Sequence, residues 1–271
     1  MDGVLLVDKP AGPTSHDLVY AVRRAAREAA GEKVRTGHAG TLDPFASGLL
    51  LILLGRATRV QRFLMALPKT YEVVARFGAT STTLDPEGEI TETGVVPDGD
   101  LALPTGPVRQ TPPAYSAVKV GGKRAYALAR AGEEVVLKER TVTVTAFDEL
   151  WRDGPRRAFR IECSSGTYVR SLVADLGDAY CEELRRTTIG PFSVADAASP
   201  DALEAMLDLE RALAFLPRLE LDAEDARAAA HGRRIPGEGE GPVLLVGADG
   251  AVAIAEPAEG GLLKPVVGFR G

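Results

Sequence analysis

Residues able to do chemistry gather in three short stretches. The first is GHAGTLDPFASGLL (37–50), where Asp43 stands against Pro44 behind a His and several small residues. An Asp before Pro often bonds the backbone N–H groups of its own turn. Two features set Asp43 apart from an ordinary turn residue. Nearby glycines permit tight bends and close approach by a ligand. The apolar run GLLLILL behind it predicts a buried strand, a rigid base for a reactive loop. The second stretch, GTYVRSL (166–172), places Tyr168 and Arg170 two apart, on one face if the chain is extended. The third, KTYEV (69–73), puts Tyr71 at a strand start. An arginine aimed at a buried carboxylate keeps it ionised and oriented, lowering an Asp pKa by roughly 1–3 units.

Several elements must position these groups. GVLLVDKP (3–10) predicts a strand ended by Pro10, and Thr14 or Ser15 can cap a helix over HDLVYAVRRAAREA. TRVQRFLMAL predicts a helix stopped by Pro68, and TYEVVARFG a strand. Residues 79–100 read as loop with a short hairpin, and the prolines of 101–113 exclude a long helix there. AYSAVKV predicts a strand, VGGKR a hairpin turn and AYALARAGEE a helix. RTVTVTAFDEL and RRAFRIECSS are β-rich, and YVRSLVADLGDAY predicts an amphipathic helix. GPVLLVGADGAVAIAEPA predicts a hairpin around Asp-Gly, followed by a strand at KPVVGF. Without regular βα alternation, the fold class is α+β with a mostly antiparallel mixed sheet. The expected division is 1–216, with an insertion at about 101–140, and a small β-rich domain at 217–271.

The net charge of −6 lies wholly in residues 201–271, residues 1–200 being neutral. Basic clusters occur at Arg23, Arg24 and Arg27; at Arg56, Arg59 and Arg62; at Lys119, Lys123 and Arg124; and at Arg185 and Arg186. A basic face for a polyanion is therefore compatible with an acidic protein. No apolar stretch is long enough to span a membrane, and MDGVLLVDKPAG has no secretory core. Cys163 and Cys181 make no metal-ligand pattern and predict reduced thiols in a cytoplasmic protein.

In their order along the chain, these blocks resemble the bacterial TruB family of tRNA pseudouridine synthases. GVLLVDKPAGPTSHD is similar to the family's first motif, GHAGTLDPFASGLL to its catalytic motif and KTYEVVARFG to its tyrosine strand. QTPPAYSAVKVGGKRAYALAR resembles its RNA-binding insertion and CSSGTYVRSLVADLG its Tyr-x-Arg motif. The resemblance implies a pseudouridine synthase fold with a PUA-like C-terminal domain. It implies isomerisation of uridine 55 in the tRNA T loop, with no cofactor, no metal and no protein partner; a monomer is the default expectation. It makes Asp43 the catalytic carboxylate, either nucleophile toward C1′ or base at C2′, with Arg170 as its ion-pair partner. Tyr71 is the stacking platform for the flipped base and a candidate acid or base at C5. Tyr168 and Leu184 line the pocket, Lys9 and Pro10 shape it, and His38 fills the vacated space in the RNA loop. Asp85 bonds the uracil edge, and Lys119, Lys123 and Arg124 grip phosphates.

The chain departs from the family pattern in three places. The acidic loop reads Ser81-Thr82-Thr83-Leu84-Asp85, with one Asp fewer than usual. The segment DGDLALPTGPVR replaces a usual helix, and AYCEELRR is several residues short. Other readings are a guide-RNA-dependent relative, a silent RNA-binding module and a glycosidase-like hydrolase using Asp43 and Asp85.

Overall fold

A computed structural model describes residues 1–113, 115, 119–125, 128, 131 and 137–269, without the side chains of 119, 120, 123 and 124. The chain opens with β1 (Gly3–Lys9) and helix α1 (Ser15–Ala30). Thr14 caps α1: its hydroxyl accepts from the Asp17 N–H while the Asp17 carboxylate accepts from the Thr14 N–H. This reciprocal box satisfies N–H groups that the helix start would leave without partners. Gly31, at φ 70°, ends the helix in a left-handed conformation.

Next come β2 (Thr36–His38) and β3 (Ser47–Leu54). All of β3 but its first residue is buried, because both faces are covered. Leu50, Ile52 and Leu54 pack on Leu18, Val19 and Val22 of α1. Leu49, Leu51 and Leu53 face the opposite way, into a core shared with Phe63 and Leu64. Burial of each such side chain contributes about 1.5–3 kcal/mol. The helix expected after β3 begins as a 3-10 segment over Gly55–Val60 and becomes α-helical in α2 (Gln61–Ala66).

The main sheet continues with β4 (Lys69–Phe77) and is flanked by the small hairpin β5 (Ala79–Ser81) and β6 (Ile90–Glu92). β7 (Gly106–Gln110) lies in the proline-rich stretch. It is an edge strand, where the missing N–H of Pro107 is tolerated. β8 (Lys119–Val120) and β9 (Lys123–Arg124) form a hairpin whose loop, Gly121 and Gly122, has both φ positive. Most of the strand and helix expected around it lie outside the described residues. β10 (Arg140–Asp153) and β11 (Arg156–Cys163) follow, then α3 (Val169–Ala174), β12 (Ala179–Ile189) and β13 (Phe192–Ser193).

The strand order is β1-β3-β12-β4-β11-β10-β7, with β2 on β3 and β13 on β12. The pairings are antiparallel except for β12 with β3. The helix expected through Tyr180 is shorter than its periodicity suggests. α3 ends at Ala174, Gly177 turns the chain at φ 139°, and Tyr180 belongs to β12. Pairing on both sides of β12 overrides the local helical pattern.

The last residues build a five-stranded sheet after α4 (Leu209–Ala212). Its strands are β14 (Arg218–Glu220), β15 (Ile235–Pro236), β16 (Val243–Gly247), β17 (Gly250–Ala258) and β18 (Leu262–Gly268). α5 (Ala223–Ala230) packs on β16, β17 and β18. In the β16–β17 hairpin Gly247 opposes Gly250, so Ala248 and Asp249 form the loop and Gly250, at φ 93°, opens the second strand. The C-terminal sheet shares a core with the main sheet, as Leu244, Val246, Ile254 and Phe269 join the cluster of Leu49, Leu51 and Leu53. The cluster Arg56, Arg59 and Arg62 faces this sheet. Arg56 donates to the Phe269 carbonyl, Arg59 donates to the Gly268 carbonyl at 2.9 Å, and Arg62 pairs with Glu256 at 2.8 Å.

Candidate active site

The loop between β2 and β3 carries Asp43 and is held from three directions. From β1, the buried Lys9 ammonium donates to the carbonyls of Pro10 at 2.9 Å, Pro13 at 2.8 Å and Pro44 at 3.1 Å. From α1, the Ser15 hydroxyl donates to the Leu42 carbonyl at 3.0 Å and accepts from the Leu42 N–H at 2.9 Å. From β12, Arg186 donates to the carbonyls of Leu49 at 2.8 Å, Gly40 at 3.1 Å and Thr41 at 3.3 Å. The turn itself closes through the Ala46 N–H and the Asp43 carbonyl at 3.2 Å. The Asp43 side chain is thereby left to point elsewhere, and its Oδ2 meets Arg170 Nε at 3.0 Å.

Arg170 lies in the first turn of α3 and is 4% exposed. Its Nη1 donates to Asp85 Oδ2 at 2.6 Å and to the Thr83 carbonyl at 2.8 Å, and its Nη2 to the Tyr115 carbonyl at 2.9 Å. One guanidinium thus joins the Asp43 loop, the acidic loop and the root of the insertion, a geometry that suits its planar fork. The other Asp85 oxygen accepts from the Thr83 hydroxyl and, at 3.1 Å, from the Glu87 N–H. Leu84, just before it, has φ 63°, the one positive φ among described non-glycine residues. Its N–H donates to Ser81 and its carbonyl accepts from Cys181, which hold this uncommon conformation and turn Asp85 inward.

The electrostatics differ from the sequence expectation at Asp43. Burial pushes its carboxyl above the ordinary value, and Asp85 pushes the same way. Arg170, Arg186 and Lys9 pull it down without reversing the balance. Desolvation is the largest influence although the side chain is 36% exposed, and Arg170 divides itself between two carboxylates. Burial likewise raises the Tyr71 phenol, so Tyr71 keeps its proton at neutral pH, while Arg186 acts in the opposite direction. The His38 imidazole is pushed down by burial and then by Arg186, which leaves it neutral.

Tyr71 on β4 and Leu184 on β12 are 8% and 7% exposed and belong to one apolar cluster with Leu42 and Ala46 of the Asp43 loop. Tyr168 precedes α3, with the Arg140 guanidinium 4.6 Å from its ring centre. Pro10 is exposed at the end of β1, and His38 is half-buried beside the Gly40 backbone. Lys119 and Arg124 oppose each other in the β8–β9 hairpin with Lys123 beside them. Their side chains lie outside the described part of the structure.

Two residues that sequence reasoning missed position this site. Gln110, 2% exposed at the root of the insertion, holds Tyr168 by both backbone groups at 2.8 Å. Arg186, 1% exposed, is no part of a basic surface with Arg185, which points the other way and pairs with Asp8 at 2.6 Å. The period-2 alternation of a strand would have separated the two arginines, had β12 been read as a strand.

The mixed α+β sheet thus brings an ion-paired Asp, a buried Tyr and an Arg hub together around one loop. Residues 27–169 match the family model described as TruB family pseudouridylate synthase (N terminal domain). The chain belongs to this family. It is 45% identical over 298 residues to tRNA pseudouridine synthase B of Thermobifida fusca, covering 100% of this chain and 99% of that one. It is 39% identical over 302 residues to tRNA pseudouridine synthase B of Paenarthrobacter aurescens, covering 99% and 95%. Among solved structures it is similar to one described as a Cbf5-Nop10-Gar1 complex, with a TM-score of 0.70, 25% identity, and coverage of 99% of this chain and 84% of that one.

Proposed function

We propose that this chain is a stand-alone tRNA pseudouridine synthase that converts uridine 55 in the T loop to pseudouridine. The reaction breaks the C1′–N1 bond, turns the uracil and joins C5 to C1′. N1 gains a proton and the C5 hydrogen leaves to solvent. Asp43 acts on the sugar, as nucleophile toward C1′ or as base toward the 2′ hydrogen, and either role needs the ionised carboxylate. The observation that best supports the reading is the Asp43–Arg170 ion pair at 3.0 Å on a loop fixed from three elements.

Extrusion of the uridine takes a few kcal/mol, which stacking on an aromatic ring offsets. Tyr71 is that platform and enters the reaction as a phenol, Leu184 and Tyr168 wall the pocket, and His38 occupies the space the base leaves. Lys9 and Pro10 shape the loop wall. Asp85 is engaged by Arg170, Thr83 and Glu87, so in this reading it works through Arg170 and not on the uracil edge. The basic faces at Arg23, Arg24 and Arg27 and at Lys119, Lys123 and Arg124 contact phosphates. Residues 217–271 form a PUA-like module, and the cytoplasm is the compartment this activity implies.

Tritium release from tRNA carrying 5-tritiated uridine tests the reading, with wild type set against Asp43→Asn. Release by wild type alone, with the modified position mapped to the T loop, supports it. Binding without release overturns it in favour of a silent RNA-binding module, and free uracil as product overturns it in favour of a hydrolase.

A further inference from the structure

Arg186 is among the largest fully buried side chains of the protein. Among the described residues it forms no ion pair, and it donates to backbone carbonyls and to the Tyr71 side chain. A buried cation is costly unless its donors are satisfied. Here Gly40, Thr41 and Leu49 satisfy them, and these three residues bracket Asp43 on both sides. The backbone of Arg186 grips the same loop. It pairs with Gly48, whose φ is 107°, and a Cβ on Gly48 would lie 2.2 Å from the Arg186 carbonyl oxygen and 2.7 Å from its nitrogen. On its other side Arg186 pairs with Tyr71 of β4. One residue therefore ties the Asp43 loop and Tyr71, which come from separate strands, to a common point.

We propose that Arg186 is a positioning residue that fixes Asp43 relative to Tyr71 and supplies the fixed positive charge behind both. The inference rests on the reading of Asp43 as the catalytic carboxylate. Geometry and charge are separable contributions. The fork of the guanidinium reaches three carbonyls that a single ammonium cannot span, whereas a lysine would keep the charge. The groups facing Asp43 are Arg170 of α3, Asp85 of the acidic loop, Arg186 of β12 and Lys9 of β1. Removing the Arg186 charge leaves burial and Asp85 opposed by two cations in place of three.

The test compares wild type, Arg186→Lys, Arg186→Gln and Asp43→Asn in single-turnover conversion of a T-arm stem-loop RNA across pH, with RNA affinity measured in parallel. Arg186→Lys is expected to bind RNA within about threefold of wild type and to react at least tenfold more slowly, with the acid limb of its pH profile unmoved. Arg186→Gln is expected to lose rate further and to shift that limb to higher pH. Should the glutamine variant not fold, the lysine variant alone decides through its rate at unchanged affinity. Wild-type rates in both variants, or a glutamine limb that coincides with that of lysine, overturn the proposal. Full activity in Asp43→Asn would instead overturn the functional reading on which it rests.

Discussion

Gln110 holds Tyr168 by its two backbone groups: Oε1 accepts from the Tyr168 N–H and Nε2 donates to the Tyr168 carbonyl, each at 2.8 Å. Gln110 also pairs in register with Arg140, which stacks on the Tyr168 ring. Both ends of the insertion therefore meet on the residue that opens α3. Gln110→Ala leaves the part-buried Tyr168 N–H without its partner, while the Tyr168 carbonyl keeps the Leu172 N–H at 3.2 Å, and a lost partner of this kind costs about 1–3 kcal/mol. Chemical denaturation is expected to show that loss, and single-turnover assays a slower reaction, because the start of α3 also places Arg170.

Asp43→Asn is expected to abolish turnover and leave tRNA affinity nearly unchanged. Its stability follows from the sign of the shift. The folded protein raises the Asp43 carboxyl above 3.8, so the folded state binds that proton more tightly than the unfolded chain does. Above that window the ionised group subtracts from stability, and below it the penalty disappears. The asparagine variant should therefore melt at or above the wild-type temperature at pH 7, with no such advantage near pH 3. Thermal melts at the two pH values check this.

The same shift predicts the pH dependence of the rate. Activity that needs ionised Asp43 should fall on the acid side at a pH above the ordinary aspartate range. Single-turnover rates between pH 4 and 8 would locate that limb, and a limb at 3.8 or below would contradict the upward direction.

Arg170→Ala strands Asp85, which is 3% exposed, without its cation. Removal of one partner from a buried pair typically costs about 3–5 kcal/mol. Arg170→Lys should recover part of that stability but little activity, since an ammonium cannot hold Asp43, Asp85 and the Tyr115 carbonyl together. Urea unfolding and turnover of the two variants separate these effects.

Arg24 and Arg27 lie on the outer face of α1, where Arg24 is 72% exposed and 4.0 Å from Glu28. Arg24→Glu with Arg27→Glu, or Lys119→Glu with Lys123→Glu, should weaken tRNA binding and flatten its salt dependence, each phosphate contact contributing about 0.9 or less to the slope. Titrations at several salt concentrations give that slope, and an unchanged value removes the pair from the RNA interface.

Much of the site was legible in local sequence. The apolar run behind Asp43 and the Thr14 cap follow from nearest neighbours along the chain, whereas Tyr168 and Arg170 share no extended face because Arg170 lies in the first turn of α3. What was not legible depends on partners far away in sequence. The burial of Arg186 follows from β12 lying between β3 and β4, a pairing that no local pattern reveals. The helical periodicity near Tyr180 misled for the same reason. The arginines of 56–62 look like a polyanion surface until the C-terminal sheet packs against them. The upward shift at Asp43 comes first from burial and then from Asp85, and sequence spacing cannot show that two carboxylates converge on one guanidinium.

The place of β12 also bears on how the protein is made. Of the strands along the main path of the sheet, the last to be synthesised is an interior one, β12, between β3 and β4. Until residues 179–189 leave the ribosome, β1 with β3 and β4 with β11, β10 and β7 are two ribbons with no strand between them. Long-range pairing of this kind is slow to form. Asp43 and Tyr71 stand on opposite sides of that gap, so the strand that closes the sheet also brings the two together, and a shorter nascent chain keeps them apart.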